Sequence, residues 1–139
     1  MKLKEIISIS GKPGLYRIVN FAKMPYIVEE LTTGRKVPIF GREKVSSLAE
    51  IALYTEEGDL PLGQVFQCIH EAYGDTIPEE KEVTQSHETL RAFMDKVLPS
   101  YDQERVHDSD IRKLVKWYII LRKKGMVLFV EEEENNSNE

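Results

Sequence analysis

Three short runs, at residues 15–20, 26–28 and 36–40, have the alternating or β-branched pattern that antiparallel strands favour. Gly34 lies between the second and third runs, where a hairpin turn needs a residue that tolerates a positive φ. Pro38 cannot donate a ladder hydrogen bond, so we expect the third strand to lie at an edge or to break at a bulge. Because an isolated pair of strands is marginal in water, this pattern predicts a small, strongly bent antiparallel barrel.

The flanking segments complete the first half of the chain. Residues 3–9 predict a short helix that runs into an extended segment, and residues 10–14 predict a turn in which Pro13 and Gly14 supply the φ values of type II. Residues 45–48 predict a tight turn or a single helical turn, and residues 50–55 predict a fourth strand. A polar break follows this strand, and we place a domain boundary there.

Apolar residues recur at helical spacing in three segments of the second half. These segments are residues 62–73, 86–98 and 109–124. Pro61 and Gly74 bound the first segment, as proline and glycine often bound helices. Residues 126–130 predict a final short strand. Residues 131–139 contain no apolar residue and predict a disordered acidic tail.

The composition limits the chain to one ordinary core or two small modules, since it has 139 residues and 41% hydrophobic content. No run of about 18 apolar residues is present, so we expect no membrane contact. The N-terminus lacks the apolar region and cleavage site of a signal peptide. Cys68 is the only cysteine, which excludes an intrachain disulfide and a multi-cysteine metal site. We therefore expect a cytoplasmic protein.

The net charge of −5 is unevenly distributed. Residues 1–48 contain nine Lys or Arg and four Asp or Glu, whereas residues 49–139 contain ten and twenty. The first half is therefore basic and the remainder acidic. This asymmetry is compatible with two modules that attract each other, with a surface for an acidic partner, or with no functional consequence.

The titratable residues form no catalytic or metal-binding pattern. None of His70, His87 and His107 has a partner at ligand spacing, and the H-E-x-x-H motif is absent. Cys68 and His70 lie roughly 200° apart around a helix, so the imidazole does not activate the thiol. The phosphate-loop pattern G-x-x-x-x-G-K-[ST] is also absent. We therefore expect no cofactor, no metal and no enzymatic activity.

Basic residues interleaved with aromatic residues in the first half are candidate contacts for an anion or a nucleic acid. The candidate contact residues are Lys12, Arg17, Arg35, Lys36 and Arg42. The aromatic residues Tyr16, Phe21 and Tyr26 have strand spacing, so they serve either as stacking platforms or as core. A basic stretch on the last predicted helix, formed by Arg112, Lys113, Lys116, Lys123 and Lys124, is a second possible phosphate-binding face.

Several short motifs resemble those of one bacterial family of unknown function. They are LKEI at 3–6, ISGKPGLY at 9–16, KVSSL at 44–48, YT at 54–55, PL at 61–62, YD at 101–102, RV at 105–106, SDI at 109–111 and WY at 117–118. The resemblance covers roughly residues 2–122. It implies a small barrel-like module followed by a helical module, and it supplies no site residues.

The sequence thus predicts an α+β protein with two modules and a tail. An SH3-like antiparallel β-barrel is expected at residues 1–58, and a three-helix module with a short C-terminal strand at residues 59–130. The acidic tail follows at residues 131–139. The favoured function is a non-enzymatic protein-interaction or regulatory protein with another protein as its partner. The alternative is weak binding of short single-stranded RNA or DNA through the basic barrel.

Overall fold

The chain combines antiparallel sheets with four helices in the computed structural model, which describes residues 1–130. The α+β class predicted from the sequence is therefore confirmed. The predicted acidic tail at residues 131–139 lies outside the described residues. The strands are β1 (Ile6–Ile9), β2 (Lys12–Asn20), β3 (Tyr26–Glu30), β4 (Lys36–Ile39), β5 (Val45–Ser47), β6 (Ala52–Thr55) and β7 (Gly58–Pro61). The helices are α1 (Leu62–Tyr73), α2 (Glu80–Val83), α3 (His87–Val97) and α4 (Asp108–Lys123), and 3-10 turns cover Leu3–Glu5 and Leu48–Glu50.

Strands β1 to β5 form one antiparallel sheet in the order β4-β3-β2-β1-β5. Gly34 has a φ of 76° in the β3–β4 turn, as predicted. Pro38 lies in the edge strand β4, which confirms the expected place of a residue that cannot donate to a ladder. Within the predicted turn at residues 10–14, the first hairpin turns at Ser10 and Gly11, because Ile9 already pairs with Lys12. Pro13 and Gly14 therefore lie inside β2.

The sheet is open, because its edge strands β4 and β5 do not pair with each other within residues 1–130. A closed barrel is thus not confirmed. The predicted fourth strand at residues 50–55 is β6, which pairs with β7 in a separate two-stranded sheet. The position beside β1 is occupied by β5, in the segment that the sequence predicts as a turn. Ile7 opposes Ser47 and Ile9 opposes Val45, so the free edge of β1 makes this short segment a strand.

The two faces of the five-stranded sheet contribute to two different cores, because successive side chains of a strand point to opposite sides. One face contributes Ile6 and Leu15 to a large core shared with the helices. The other face carries a smaller core that draws residues from all five strands. Its residues are Ile7, Ile9, Tyr16, Val28 and Ile39, with Tyr26, Val37 and Val45 packed against them. Tyr16 is therefore a core residue rather than a stacking platform.

The three predicted helices are observed as α1, α3 and α4, and each buries apolar residues in the large core. Ser86 caps α3, since its Oγ accepts a hydrogen bond from the backbone N–H of Thr89 at 3.1 Å. The four-residue helix α2 lies in the segment predicted as a loop and buries no residue. A plain three-helix module is thus not confirmed, because a short helix without an apolar face gives no periodic signal.

Arg122 on α4 holds the C-terminal end of α1. Its Nη1 donates to the carbonyl oxygen of Gly74 at 3.1 Å and to the hydroxyl of Tyr118 at 3.0 Å. Its Nη2 donates to the carbonyl oxygen of Asp75 at 3.4 Å. The last carbonyls of a helix lack partners within the helix, so a side chain from another helix satisfies them here.

Residues 126–130 do not form the predicted strand. They cross α1 as an extended segment whose Met126 and Phe129 are buried in the large core. The Phe129 ring centroid lies 5.6 Å from that of Phe66 and 5.5 Å from that of Tyr118. The apolar pattern that resembles a strand thus reflects docking on aromatic side chains rather than pairing in a sheet.

The predicted boundary near residue 58 stays a prediction. Residue 58 begins β7, so the position falls within the β6–β7 hairpin. The large core includes Leu3, Leu31 and Leu48 from the first half together with the helical residues. Within residues 1–130, no helix has the length and apolar character needed to cross a bilayer.

Candidate functional site

The five basic residues predicted as contacts do not share one surface. Arg17 and Lys36 lie on either side of Glu29 in the sheet, since Glu29 opposes both of them across neighbouring strands. Nη2 of Arg17 donates to Oε1 of Glu29 at 2.7 Å. This hydrogen bond lowers the pKa of Glu29 and raises the pKa of Arg17. Much of the positive charge at this place is therefore already balanced.

Lys12 and Arg42 lie around a different carboxylate, that of Glu43. The backbone N–H groups of Glu43 and Phe40 are the main cause of the lowered pKa of Glu43, and the charges of Lys12 and Arg42 add to the effect. Arg35 lies apart, in the exposed β3–β4 turn. The structure thus divides the predicted set into three places.

Lys12 instead joins three other lysines around an open cavity of about 460 Å³. Lys44 precedes β5, and Lys113 and Lys116 are three residues apart on α4, so they share one side of that helix. Ser8, Ser10 and Ser46 line the same cavity. No residue that lines this cavity is acidic.

A second cavity of about 330 Å³ adjoins the first, because Ser8, Lys113 and Trp117 line both. Its lining is mainly apolar and aromatic, with Asp110 as its carboxylate. The apolar and aromatic lining residues are Ile51, Ala52, Leu53, Tyr54, Leu62, Val106, Leu114 and Trp117. The two cavities together form the junction groove, which lies between the five-stranded sheet, the β6–β7 hairpin and α4. One half of the groove is basic and the other half is apolar.

Two aromatic residues, Tyr54 and Trp117, line the apolar half of the junction groove. Trp117 is half-buried and packs against the large core while lining both cavities. The Tyr54 ring is covered by the guanidinium group of Arg105, whose Cζ lies 3.6 Å from the ring centroid. This cation–π contact holds the Tyr54 ring in place at the rim of the groove.

A second feature is an exposed apolar surface at the end of the sheet, which we call the apolar tip. It consists of Ile18, Val19, Phe21, Met24 and Phe40, from the end of β2, the β2–β3 loop and the end of β4. Met24 is 52% exposed and Phe40 is 59% exposed. The register of β2 against β3 shifts between Ile18 and Asn20, so Val19 lies at an irregularity of the ladder.

The ring of Phe21 is held at the apolar tip by Tyr26. Their ring centroids lie 4.6 Å apart in a stacked arrangement. Phe21 is 38% exposed, whereas Tyr26 is half-buried against the smaller core. Of the three aromatic residues considered as stacking platforms, Phe21 is the one that presents a large exposed area.

The carboxylate of Asp108, outside these surfaces, has two structural partners. Nδ1 of His87 lies 2.9 Å from Oδ2 of Asp108, and Nη2 of Arg91 lies 2.9 Å from Oδ1 of the same carboxylate. Burial is the main cause of a raised pKa of the Cys68 thiol. Within residues 1–130, no three histidine, cysteine or carboxylate side chains gather in a way that could hold a metal ion.

Sequence reasoning missed the junction groove, although it singled out some of its residues. Lys12 was assigned to the barrel surface, and Lys113 and Lys116 to the exposed face of a helix. Their proximity depends on α4 packing across β2, which brings residues about 100 positions apart in the sequence together. No local pattern reports such a contact. Trp117, directly after Lys116 in the sequence, was the one available signal.

Two family models match the chain, and both are described as domains of unknown function. The model DUF5606 matches residues 3–48, and the model DUF6852 matches residues 51–121. A solution NMR structure of a protein from Bacteroides vulgatus, from the Northeast Structural Genomics Consortium, is also similar. The two chains are 40% identical with a TM-score of 0.72, over 88% of this chain and 87% of the other. No curated protein is significantly similar in sequence.

Proposed function

The chain belongs to the bacterial family of the domain of unknown function DUF6852, and we propose that it is a non-enzymatic protein-interaction or regulatory protein. The observation that carries this proposal is the apolar tip. Large exposed apolar patches on soluble proteins commonly mark surfaces that contact a partner. Here five large apolar side chains are exposed at one end of one sheet.

The finer architecture that we propose is an SH3-like first half followed by a module built on three helices. The smaller core supports the first part, because Val28 and Ile39 are almost fully buried on the face opposite the helices. Such burial requires the sheet to bend over its own face. The strand order, with β5 returning beside β1, is also compatible with this topology. For the second part, α1, α3 and α4 supply the buried helical residues and α2 supplies none.

The test of the interaction proposal compares the full chain with a double variant of the apolar tip, Phe21→Ser with Phe40→Ser. The matched control is Val127→Ser with Leu128→Ser, since these side chains are 50% and 63% exposed on the C-terminal segment. Each tagged protein is cross-linked in the native bacterium, and the captured proteins are quantified by mass spectrometry.

We expect one or more proteins to be captured by the parent chain and the control but lost with the tip variant. A set of captured proteins that is unchanged in the tip variant would contradict the proposal. Light scattering of the purified chain shows in addition whether a second copy of the chain is the partner.

Weak binding of short single-stranded RNA or DNA by the basic first half is the second candidate. Three exposed basic residues lie outside the junction groove. They are Arg35 in the β3–β4 turn, Lys36 in β4 and Arg42 between β4 and β5. Phosphate contacts release counterions, so the logarithm of the affinity should fall linearly with the logarithm of the salt concentration. The test is fluorescence anisotropy of labelled short RNA and DNA with Arg35→Glu/Lys36→Glu. Lys81→Glu/Lys123→Glu is the control because it makes the same charge change elsewhere, and equal binding by both variants would contradict this candidate.

A further inference from the structure

The basic half of the junction groove gathers four lysine side chains and has no acidic residue in its lining. Lys12, Lys44, Lys113 and Lys116 come from three separate parts of the fold. None of the four forms an ion pair with another residue of the described chain. Glu43 is the carboxylate near Lys12, and it already accepts a hydrogen bond from the backbone N–H of Phe40 at 3.2 Å. Four like charges around one cavity repel one another, and an anion in the cavity would relieve that repulsion.

Serine hydroxyls and two glycines line the cavity together with these lysines. Ser8 and Ser46 oppose each other across β1 and β5, and their hydroxyls make no hydrogen bond within residues 1–130. Gly11 and Gly14 both have a φ of +84°, and no atom lies within 4 Å of the place where a Cβ would stand. The β1–β2 turn therefore leaves space beside these two glycines for a ligand in the cavity. Ammonium groups and hydroxyls are donors that bind phosphate oxygens.

The apolar half supplies a place for a flat, uncharged group. Trp117 lines both halves, and Tyr54 lines the apolar half. Asp110 is already engaged, because its Oδ2 accepts a hydrogen bond from the backbone N–H of His107 at 2.9 Å. The volumes of about 330 and 460 Å³ fall within the range of small-molecule sites. An inorganic anion alone would leave the apolar half empty.

We propose that the junction groove binds a nucleotide, with its phosphate groups at the four lysines and its base against Trp117 in the apolar half. A nucleotide joins phosphate groups to a planar aromatic base through a sugar, so it can place one in each of two adjoining cavities. This site is separate from the apolar tip and from Arg35, Lys36 and Arg42. The proposal therefore does not depend on either function proposed above.

The experiment uses the single tryptophan of the chain as its reporter. Because Trp117 lines both cavities, its fluorescence should respond directly to a ligand in the groove. The full chain is titrated with ATP, AMP, adenosine, inorganic pyrophosphate and a short 5′-phosphorylated DNA. Excitation is set where the nucleotides do not absorb, and calorimetry provides an independent binding curve.

The test variant is Lys113→Glu/Lys116→Glu, and the control is Lys81→Glu/Lys123→Glu, which makes the same charge change outside the groove. Because all four side chains are exposed, both variants should fold, and circular dichroism checks this. If the test variant unfolds, Lys113→Gln/Lys116→Gln replaces it. We expect saturable binding of ATP that weakens with salt and falls at least about tenfold in the test variant but not in the control.

Three results would overturn the proposal. The first is no saturable response to ATP or AMP at about 1 mM in low salt. The second is equal binding of ATP by the test variant and the control. The third is binding of a ligand that does not use both halves of the groove. Pyrophosphate that binds as tightly as ATP would indicate a plain anion site. Binding of the DNA without binding of ATP would indicate a nucleic-acid surface.

Discussion

A Cβ atom on Gly63 would stand 2.5 Å from the carbonyl oxygen of Phe129 and 3.2 Å from Cδ2 of Leu3. Gly63 is buried in the first turn of α1. Its missing side chain lets the C-terminal segment cross the start of α1, so that Phe129 reaches Phe66 and Tyr118. Glycine is required here for close approach, since its φ does not lie in the left-handed region.

Replacing Gly63 with Ala should therefore destabilise the protein, although alanine is the better helix former by roughly 0.5–1 kcal/mol. Forcing a methyl group against a backbone carbonyl typically costs about 1–3 kcal/mol. The measurement is the urea midpoint of the full chain. Gln64→Ala, at the exposed neighbouring position, is the control and should change stability by less than about 0.5 kcal/mol. A Gly63→Ala variant more stable than the parent would show that the segment does not dock at this place.

Phe93 and Leu114 should each be costly to truncate, because both lie in the large core with 4% and 2% of their surface exposed. Phe93→Ala and Leu114→Ala should each lose about 2–5 kcal/mol in chemical unfolding. Asp95→Ala, on the exposed side of α3, serves as the control. Midpoints of the two core variants equal to that of the parent would contradict the assignment of these helix faces.

Asp108 should make the stability depend on pH in the acidic range. The hydrogen bond from His87, followed by that from Arg91, lowers the pKa of Asp108 in the folded protein. A group whose pKa is lower in the folded state makes its full contribution to stability at pH values above its unfolded-state pKa, which is about 3.9 for Asp. That contribution is lost as the pH falls through the folded-state pKa.

Asp108→Asn should therefore lower the urea midpoint at about pH 5.5, and the difference from the parent should shrink towards zero at about pH 2.5. Asp95→Asn removes an exposed carboxylate of α3 and is the control, with little difference from the parent at either pH. A difference between Asp108→Asn and the parent that persists unchanged at the lower pH would show that the carboxylate charge is not the cause.

Replacing Arg122 even with lysine should destabilise the protein. Arg122 donates from two different nitrogen atoms to carbonyl oxygens at the end of α1. A single ammonium group cannot reproduce that forked geometry. Arg122→Lys should cost about 0.5–1.5 kcal/mol, the net range for a typical intramolecular hydrogen bond, because the two carbonyl acceptors are exposed. Hydrogen exchange should be faster at the amides that close α1, including the Gly74 N–H that bonds to His70. Lys123→Ala is the control, and equal exchange in both variants would argue against the capping role of Arg122.

The helical half was the more predictable part of the fold. Its three long helices repeat apolar residues at a spacing that only a helix explains, and Pro61, Gly74 and Ser86 mark their ends. The errors occur where local pattern is ambiguous or absent. Residues 45–47 contain two serines and no alternation, so only the neighbouring edge of β1 identifies them as a strand. Residues 126–130 have a strand-like pattern but no partner strand within the described chain.

The candidate sites were less predictable than the fold, for a physical reason. Charge and aromatic content are visible in the sequence, but their grouping is decided by contacts between distant residues. Arg17 pairs with the carboxylate of Glu29, whereas Lys36 lies opposite Glu29 on the neighbouring strand. Lys12 was expected to act with them, yet it lies with Lys113 and Lys116 of α4.

The shared large core has a consequence for how the protein is made. Its members range from Leu3 to Phe129, so the apolar face of the first sheet has no complete cover until Phe129 has left the ribosome. A nascent chain that has produced the five-stranded sheet still exposes Ile6 and Leu15. The large core is therefore completed only after synthesis of its last residues, and until then the exposed face of the sheet is prone to aggregation.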